Sequence, residues 1–256
     1  MKNIINWKLF FILVVSCIIA SMLVIPYSLA LTSSEIKITP VIMLATLAQN
    51  LVLFAVAVFF GLFLSKRIGM GLPILQNVLE GKNQIKELKH ILPSSVGLGV
   101  LSGVLIALLS IPFNRFIPKF QNVSTSIPAW KAFLASFYGG IAEEVLLRLF
   151  LVSLFVWITF KIKKNAAGHQ KNIGIWLSII LAAIIFGLGH LPATAQITPL
   201  TGLVIIRAII LNGIGGIVFG WLYWKKGLES AMIAHFSTDI VLHIITPAVV
   251  SFFSIP

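Results

Sequence analysis

The sequence predicts an all-α fold, a polytopic transmembrane helical bundle. Three properties of the 256-residue chain predict it: 59% of the residues are hydrophobic, only 10% are charged, and the mean hydropathy is +1.05. Soluble domains carry roughly a quarter charged residues, so this composition excludes an ordinary soluble protein. We therefore expect the function to be carried out within the membrane or at its surface.

Seven apolar runs are long enough to cross a bilayer, whose hydrocarbon core of about 30 Å needs about 20 helical residues. The predicted spans are Leu9–Leu31, Pro40–Leu64, Ser95–Phe113, Ala132–Phe160, Ile173–His190, Leu200–Trp224 and Leu228–Ile245. A tail at residues 246–256 follows them, and its Pro247 and short length argue against a further full crossing. The sequence leaves open whether this tail is an eighth, partial or interfacial segment.

The net charge of +12 has a topological explanation and does not require a nucleic-acid partner. Lys and Arg are enriched in the cytoplasmic connections of membrane proteins, and here they favour alternate connections. They are dense before the first span and in the second, fourth and sixth connections, at Lys2, Lys8, Lys66, Arg67, Lys82, Lys86, Lys89, Lys161, Lys163, Lys164, Lys171, Lys225 and Lys226. The intervening connections have fewer, at Lys37, Arg115, Lys119 and Lys131. We predict a multi-pass cell-membrane protein with a cytoplasmic N-terminus and an external C-terminus.

The N-terminal segment also has the pattern of a signal peptide, with a basic start, an apolar stretch and Ser28-Leu29-Ala30 as a cleavage site. Its apolar part is long for a signal and the rest of the chain is multispanning, so we expect a retained first helix. Cys17 is the only cysteine, which excludes an intrachain disulfide and a multi-cysteine zinc site.

Two regions are predicted along the chain. Residues 1–127 hold the first three spans and a polar second connection, in which the residues after Pro73 suit an amphipathic helix on the cytoplasmic face; a solvated linker is the alternative. Residues 128–256 hold the spans with candidate chemistry. Two glycine pairs have the four-residue spacing that lets membrane helices approach closely, namely Gly99 with Gly103 and Gly216 with Gly220.

Ionisable side chains lie inside the last four spans. At mid-bilayer each costs about 2.5 to 3.5 kcal/mol, so such residues are expected to be paired or functional. They are Glu143, Glu144 and Arg148 in the fourth span, His190 at the end of the fifth, Arg207 in the sixth, and His235, Asp239 and His243 in the seventh.

Helical spacing predicts how these side chains are directed. At about 100° per residue, Glu144 and Arg148 share one face and can pair, whereas Glu143 is turned away and faces other helices, so the two glutamates should have different neighbours. His235 and Asp239 share the same four-residue spacing and are aimed at one point. The alternative for the fourth span is a structural ion pair with a spare acid. His243 continues the stripe of the seventh span, but nothing else requires it.

A glutamate, two histidines and an aspartate on three helices suit the activation of a water molecule. A carboxylate shielded from bulk water can act as a general base near neutral pH. Histidines can share the proton, bind a metal or stabilise an oxyanion. Hydrolysis inside the bilayer is the first hypothesis, and proton-coupled transport uses the same residue types.

Three short motifs resemble those of a known family. EEVLLR (Glu143 to Arg148), FGLGH (Phe186 to His190) and HFSTD (His235 to Asp239) are similar to the EExxxR, FxxxH and HxxxN/D motifs of the CPBP family of intramembrane proteases. That family comprises CAAX-prenyl proteases and bacteriocin-processing or self-immunity proteins, often called the Abi family. The resemblance covers about Trp130 to His243, and the first three spans carry no matching motif.

The resemblance implies a catalytic site in which Glu143 and His190 activate the attacking water and His235 and Asp239 complete the geometry. Glu144, Arg148 and Phe186 would support it. The chain departs from the family at Leu149, where a glycine is usual.

The resemblance leaves two cofactor alternatives. Either Glu143, His190, His235 and Asp239 hold a divalent metal such as zinc, as in a metalloprotease, or the mechanism uses glutamate without a metal. An ionised Asp239 cannot donate a hydrogen bond to an oxyanion. It can instead ligate a metal or orient His235, which favours the metal.

We therefore expect an intramembrane endopeptidase that acts on a peptide or a membrane-tethered protein, in bacterial peptide maturation or bacteriocin self-immunity. Nothing in the sequence identifies a prenyl-binding pocket, so processing of prenylated proteins is the less favoured role. A non-catalytic immunity protein and a proton-coupled transporter are the alternatives. The chain has no inverted repeat of the kind that supports a transporter.

Overall fold

A computed structural model describes residues 5–31, 39–117, 127–162 and 172–253. Some of the basic residues used for the topology lie outside these ranges, namely Lys2, Lys37, Lys119, Lys163, Lys164 and Lys171. The last three residues of the tail also lie outside them.

The described residues form seven helices that are long and apolar enough to cross a membrane. They are Trp7–Leu31, Pro40–Ile68, Ile85–Phe116, Ala129–Ile162, Asn172–Ala195, Gly202–Lys226 and Leu228–Phe253. The described ranges contain no strand. The predicted all-α bundle of seven spans is confirmed.

Four of the spans change their helical geometry along their length, and a short helix, Pro73–Leu79, lies between the second and third spans. The first span consists of Trp7–Leu23 and Ile25–Leu31, and the fifth of Asn172–Gly189 and Leu191–Ala195. The fourth span consists of α-helical Ala129–Phe137, π-helical Tyr138–Glu143 and Val145–Val152, and α-helical Ser153–Ile162. The seventh consists of Leu228–Ile240, π-helical Val241–Ile245 and Thr246–Phe253.

Two predicted boundaries need correction. The third span begins at Ile85 and not at Ser95, because the helix continues through Pro93 into the polar connection. The amphipathic helix predicted after Pro73 is therefore limited to Pro73–Leu79. In the tail, Thr246–Phe253 continues the seventh span and forms no separate crossing.

Both glycine pairs mark close contacts between helices, as their spacing predicts. A Cβ added at Gly216 would lie only 2.6 Å from the Cβ of Ala183, so Gly216 and Gly220 let the sixth span pack against the fifth. A Cβ added at Gly99 would collide with a backbone carbonyl of the seventh span. Gly99 and Gly103 thus bring the third span against the seventh, and this contact supports the helix that carries the HFSTD motif.

The second and sixth connections meet at one end of the bundle. The backbone N–H of Leu228 donates to the carbonyl of Gly71 at 2.9 Å. The Glu229 carboxylate accepts a hydrogen bond from the backbone N–H of Leu75 at 2.8 Å, which satisfies a donor at the start of the short helix Pro73–Leu79. These contacts fix the start of the seventh span two turns before His235.

Candidate active site

His235 lies between three carboxylates from the fourth and seventh spans. Its Nδ1 is 2.7 Å from Oε1 of Glu144. Its Nε2 is 3.6 Å from Oε2 of Glu143 and 3.7 Å from Oδ1 of Asp239. An ionised carboxylate can only accept a hydrogen bond, so His235 donates its Nδ1 proton to Glu144 and turns Nε2 toward the other two acids.

The fourth span places two consecutive glutamates on one imidazole because its helix is wider there. An α-helix separates neighbouring side chains by about 100°, whereas a π-helix fits more residues into each turn. Glu143 ends one π-helical segment and Glu144 lies between it and the next. The prediction that the two glutamates have different neighbours is wrong in this respect: they share His235, although they contact opposite ring nitrogens.

Gly139 allows the fourth span to approach the site closely. A Cβ added there would collide with Oδ2 of Asp239 and lie 3.1 Å from Nε2 of His235. A glycine is the residue that permits such a close backbone approach. Gly139 was missed in the sequence because a glycine in a membrane helix is common and carries no chemistry of its own.

Glu144 and Arg148 form the predicted ion pair, with Nη1 of Arg148 2.8 Å from Oε1 of Glu144. Both residues are buried. The guanidinium also donates to the carbonyl of Gly216 at 3.4 Å and faces the rings of Phe186 and Phe219, whose centroids lie 4.9 and 5.2 Å away. A buried charge is costly without a partner. Arg148 therefore stabilises the carboxylate that accepts the hydrogen bond from His235.

Aromatic rings fix the plane of the central imidazole. Phe219 stacks on His235 with ring centroids 4.6 Å apart, and Phe186 meets it edge-on at 5.6 Å. The predicted supporting residue Phe186 therefore contacts both His235 and Arg148. Phe219 has no place in the three motifs and could not be singled out from the sequence.

The cluster is closed on one side and open on the other. The side chains of Glu144 and His235 are 0% and 6% exposed, whereas those of Glu143 and Asp239 are 20% and 13% exposed. Any reacting group must therefore reach the cluster at the Nε2 side of His235, between Glu143 and Asp239.

Comparison with known families gives a match over part of the chain. Residues 125–241, which contain the whole cluster, match the family described as type II CAAX prenyl endopeptidase Rce1-like. The matched segment is less than half of the chain, and over it the chain is similar to the Rce1-like family. This is a family of CAAX-type intramembrane endopeptidases within the CPBP group, so its members have a peptide or protein substrate and work in a lipid bilayer. No curated protein and no solved structure matches the chain.

His190 of the Rce1-like segment lies beside the cluster. Its Nδ1 is 2.8 Å from the carbonyl of Phe186, to which it donates, and its ring meets that of Phe186 edge-on at 4.7 Å. In the described part of the chain, no hydrogen bond or ion pair joins His190 to Glu143. The fifth span continues beyond it as Leu191–Ala195, so His190 lies inside the span and not at its end.

The side chains of this Rce1-like site do not fit a metal ion as they are arranged. Within the described residues, no group of three or more His, Cys, Asp or Glu side chains is placed to hold one. The nearest approach to such a group is His235 with Glu143 and Asp239, and the Nδ1 face of the same ring is already bonded to Glu144. The zinc prediction remains to be tested on purified protein.

Proposed function

We propose that the chain hydrolyses a peptide bond, in a peptide or a membrane-tethered protein, with a water molecule activated by Glu143 and His235. The observation that carries this proposal is the spacing on the open side of the cluster. Glu143 and Asp239 lie 3.6 and 3.7 Å from Nε2 of His235, beyond direct hydrogen-bond distance. For polar groups more than about 3.5 Å apart, a bridging water is the contact to test for.

The proposed reaction begins when Glu143 accepts a proton from this water and the water oxygen attacks the carbonyl carbon of the substrate. The carbonyl electrons move to the oxygen and form a tetrahedral oxyanion. The C–N bond then breaks, and the proton held by Glu143 passes to the leaving nitrogen. The products are a carboxylic acid and an amine, and no further reactant is needed.

The other side chains orient the water in this proposal. Because the Nδ1–H of His235 donates a hydrogen bond to Glu144, the lone pair of the neutral ring is on Nε2 and points to the water in this proposal. Asp239 stabilises the imidazolium when His235 shares the proton. We assign His190 to the same reaction as a second contact for the water, on the basis of the family motif.

We further propose a bacterial setting, either peptide maturation or bacteriocin self-immunity, with the N-terminus in the cytoplasm. The concentration of Lys and Arg in alternate connections supports the cytoplasmic N-terminus. The complete set of motif residues supports an active enzyme in that setting. The prenylated substrate in the family description is a second substrate class, and it is tested beside an unmodified peptide of the same sequence.

The experiment compares Glu143→Gln and His235→Ala with the wild type in proteoliposomes that contain a fluorogenic membrane-tethered peptide. General-base catalysis contributes about 10²–10⁴-fold, so we expect a rate loss of that order in both variants. Glu87→Gln and His90→Ala are matched controls, because both residues are exposed at the start of the third span. Wild-type turnover in Glu143→Gln would contradict the proposed mechanism.

A cell-based assay separates the alternatives. Cells that co-express a precursor peptide are examined for processing and for survival in a bacteriocin. We expect Glu143→Gln to abolish both. Protection that survives in Glu143→Gln and His235→Ala would instead identify a non-catalytic immunity protein.

A further inference from the structure

The start of the third span projects from the bundle. Residues 85–90 are all exposed, and the first buried residue of this helix is Ile91. Two of the exposed residues, Lys86 and Lys89, are three positions apart and therefore lie on the same side of the helix. The sequence pattern uses these lysines only as indicators of topology. Their accessible side chains, at the end of a membrane-spanning helix, are available to bind a ligand.

The charge of these two lysines is not neutralised by the acids nearby in the chain. Among the described residues, neither lysine forms an ion pair. Glu80 is paired with Lys82 at 2.7 Å. Glu87 is turned by about 100° from Lys86 and about 160° from Lys89 on the helix. One face of the helix end therefore carries two uncompensated positive charges.

A hollow lies beside the two lysines. Its volume is about 430 Å³, and it is lined by Asn83, Ile85, Lys86 and Lys89. Oδ1 of Asn83 accepts a hydrogen bond from the backbone N–H of Ile85 at 3.0 Å, which leaves the amide N–H groups of Asn83 as donors. The first turn of the helix adds a partial positive charge. This lining of donors and positive charge suits an anionic group.

The same helix continues from the lysines along an exposed apolar stripe. Val96, Val100 and Val104 are spaced four residues apart and are all exposed, and nothing lies within 4 Å of a Cβ added at the intervening Gly97. Lys89 precedes Val96 by two helical turns and lies in line with this stripe. Seven residues of helix rise about 10 Å, so the lysines reach the headgroup layer that borders the hydrocarbon core.

We propose that Lys86 and Lys89 bind the phosphate group of an anionic phospholipid, whose acyl chains lie along the stripe of Val96, Val100 and Val104. A soluble anion fits the hollow but leaves the stripe unused. A zwitterionic phospholipid brings its own cation to the two lysines. Charge and stripe together therefore favour a lipid with a net negative charge, such as phosphatidylglycerol. This binding does not depend on the hydrolysis proposed above, so turnover is not its test.

Native mass spectrometry of the full chain in a neutral detergent, titrated with dioleoyl phosphatidylglycerol, measures the Kd of the bound lipid. A basic residue near an anionic lipid surface contributes about fivefold to affinity. We therefore expect Lys86→Gln combined with Lys89→Gln to weaken binding about 25-fold. Lys86→Arg combined with Lys89→Arg keeps both charges and should bind within about threefold of the wild type.

A second pair of lysines provides the matched control. Lys8 and Lys161 are also exposed and lie on other spans, so Lys8→Gln combined with Lys161→Gln removes the same charge elsewhere. We expect this control to change the Kd less than about twofold, because charge effects of this kind fall off within a Debye length. The midpoints of SDS unfolding without lipid should be equal in both pairs and the wild type, since all four lysines are exposed.

Three results would overturn the proposal. They are a wild-type Kd in the Lys86→Gln and Lys89→Gln double variant, equal losses in the control pair, and equal affinity for phosphatidylcholine. Inorganic phosphate separates a lipid site from a simple anion site. We expect it not to displace phosphatidylglycerol, because it has no acyl chain to lie along the valine stripe. Displacement by inorganic phosphate would show a simple anion site and would also overturn the lipid assignment.

Discussion

Replacing Gly139 with alanine should damage the reaction more than the fold. The added methyl group would overlap Oδ2 of Asp239 and lie 3.1 Å from Nε2 of His235, whereas ordinary contacts begin at about 3.5 Å. Asp239 must rotate or the two spans must separate. A displacement of about 1 Å at a reacting centre costs about 10²-fold in rate, whereas overpacking of this kind costs about 1–3 kcal/mol of stability.

The assay measures kcat/KM for the fluorogenic peptide in proteoliposomes, together with unfolding in increasing SDS. We expect Gly139→Ala to lose about 10²-fold in kcat/KM and to remain folded. Gly140→Ala is the matched control, because its Cβ would lie 3.1 Å from the carbonyl of Met232 and from Cβ of Phe236, away from the carboxylates. Equal activities in the two variants would refute the argument that Gly139 makes room for Asp239.

Three further predictions concern the ion pair, the metal and the helix packing. Arg148→Met should lower the free energy of unfolding by about 3–5 kcal/mol, because it leaves the buried Glu144 without its partner; a loss below about 1 kcal/mol in SDS unfolding would contradict this. EDTA and 1,10-phenanthroline should leave peptide hydrolysis unchanged, because the described side chains around His235 do not form a metal site; inhibition that zinc reverses would establish the metal. Gly99→Leu should destabilise the protein, because Gly99 packs against the seventh span. Gly97→Leu should not, because nothing lies within 4 Å of its Cβ position. The midpoints of SDS unfolding of the two variants test this difference.

The spans could be predicted from sequence because the bilayer imposes a length that apolar runs reveal. The start of the third span at Ile85 could not, because polar residues on either side of Pro93 resemble a connection, yet the helix continues through them. A hydropathy pattern reports where a segment meets lipid. It does not report how far a helix extends into water.

The ion pair of Glu144 with Arg148 could also be predicted, because four-residue spacing on a helix is local. The position of Glu143 could not be obtained in this way. Its direction depends on the π-helical geometry of Tyr138–Glu143, and a fixed angle of about 100° per residue describes a different helix. The Tyr27 hydroxyl lies 3.3 Å from Nδ1 of His243. This contact connects two distant spans, so no local spacing reveals it.

The charges of the cluster explain why its open side is the reactive one. Three carboxylates face one guanidinium and one imidazole, and Arg148 is already paired with Glu144. Two adjacent acids, Glu143 and Asp239, then share Nε2 of His235, and unpaired negative charge is costly in a medium of low dielectric. The cluster is therefore stabilised when a proton is held among these three groups, and the deprotonation of an attacking water supplies that proton. The proton then passes from Glu143 to the leaving nitrogen, which becomes basic as its bond to carbon breaks.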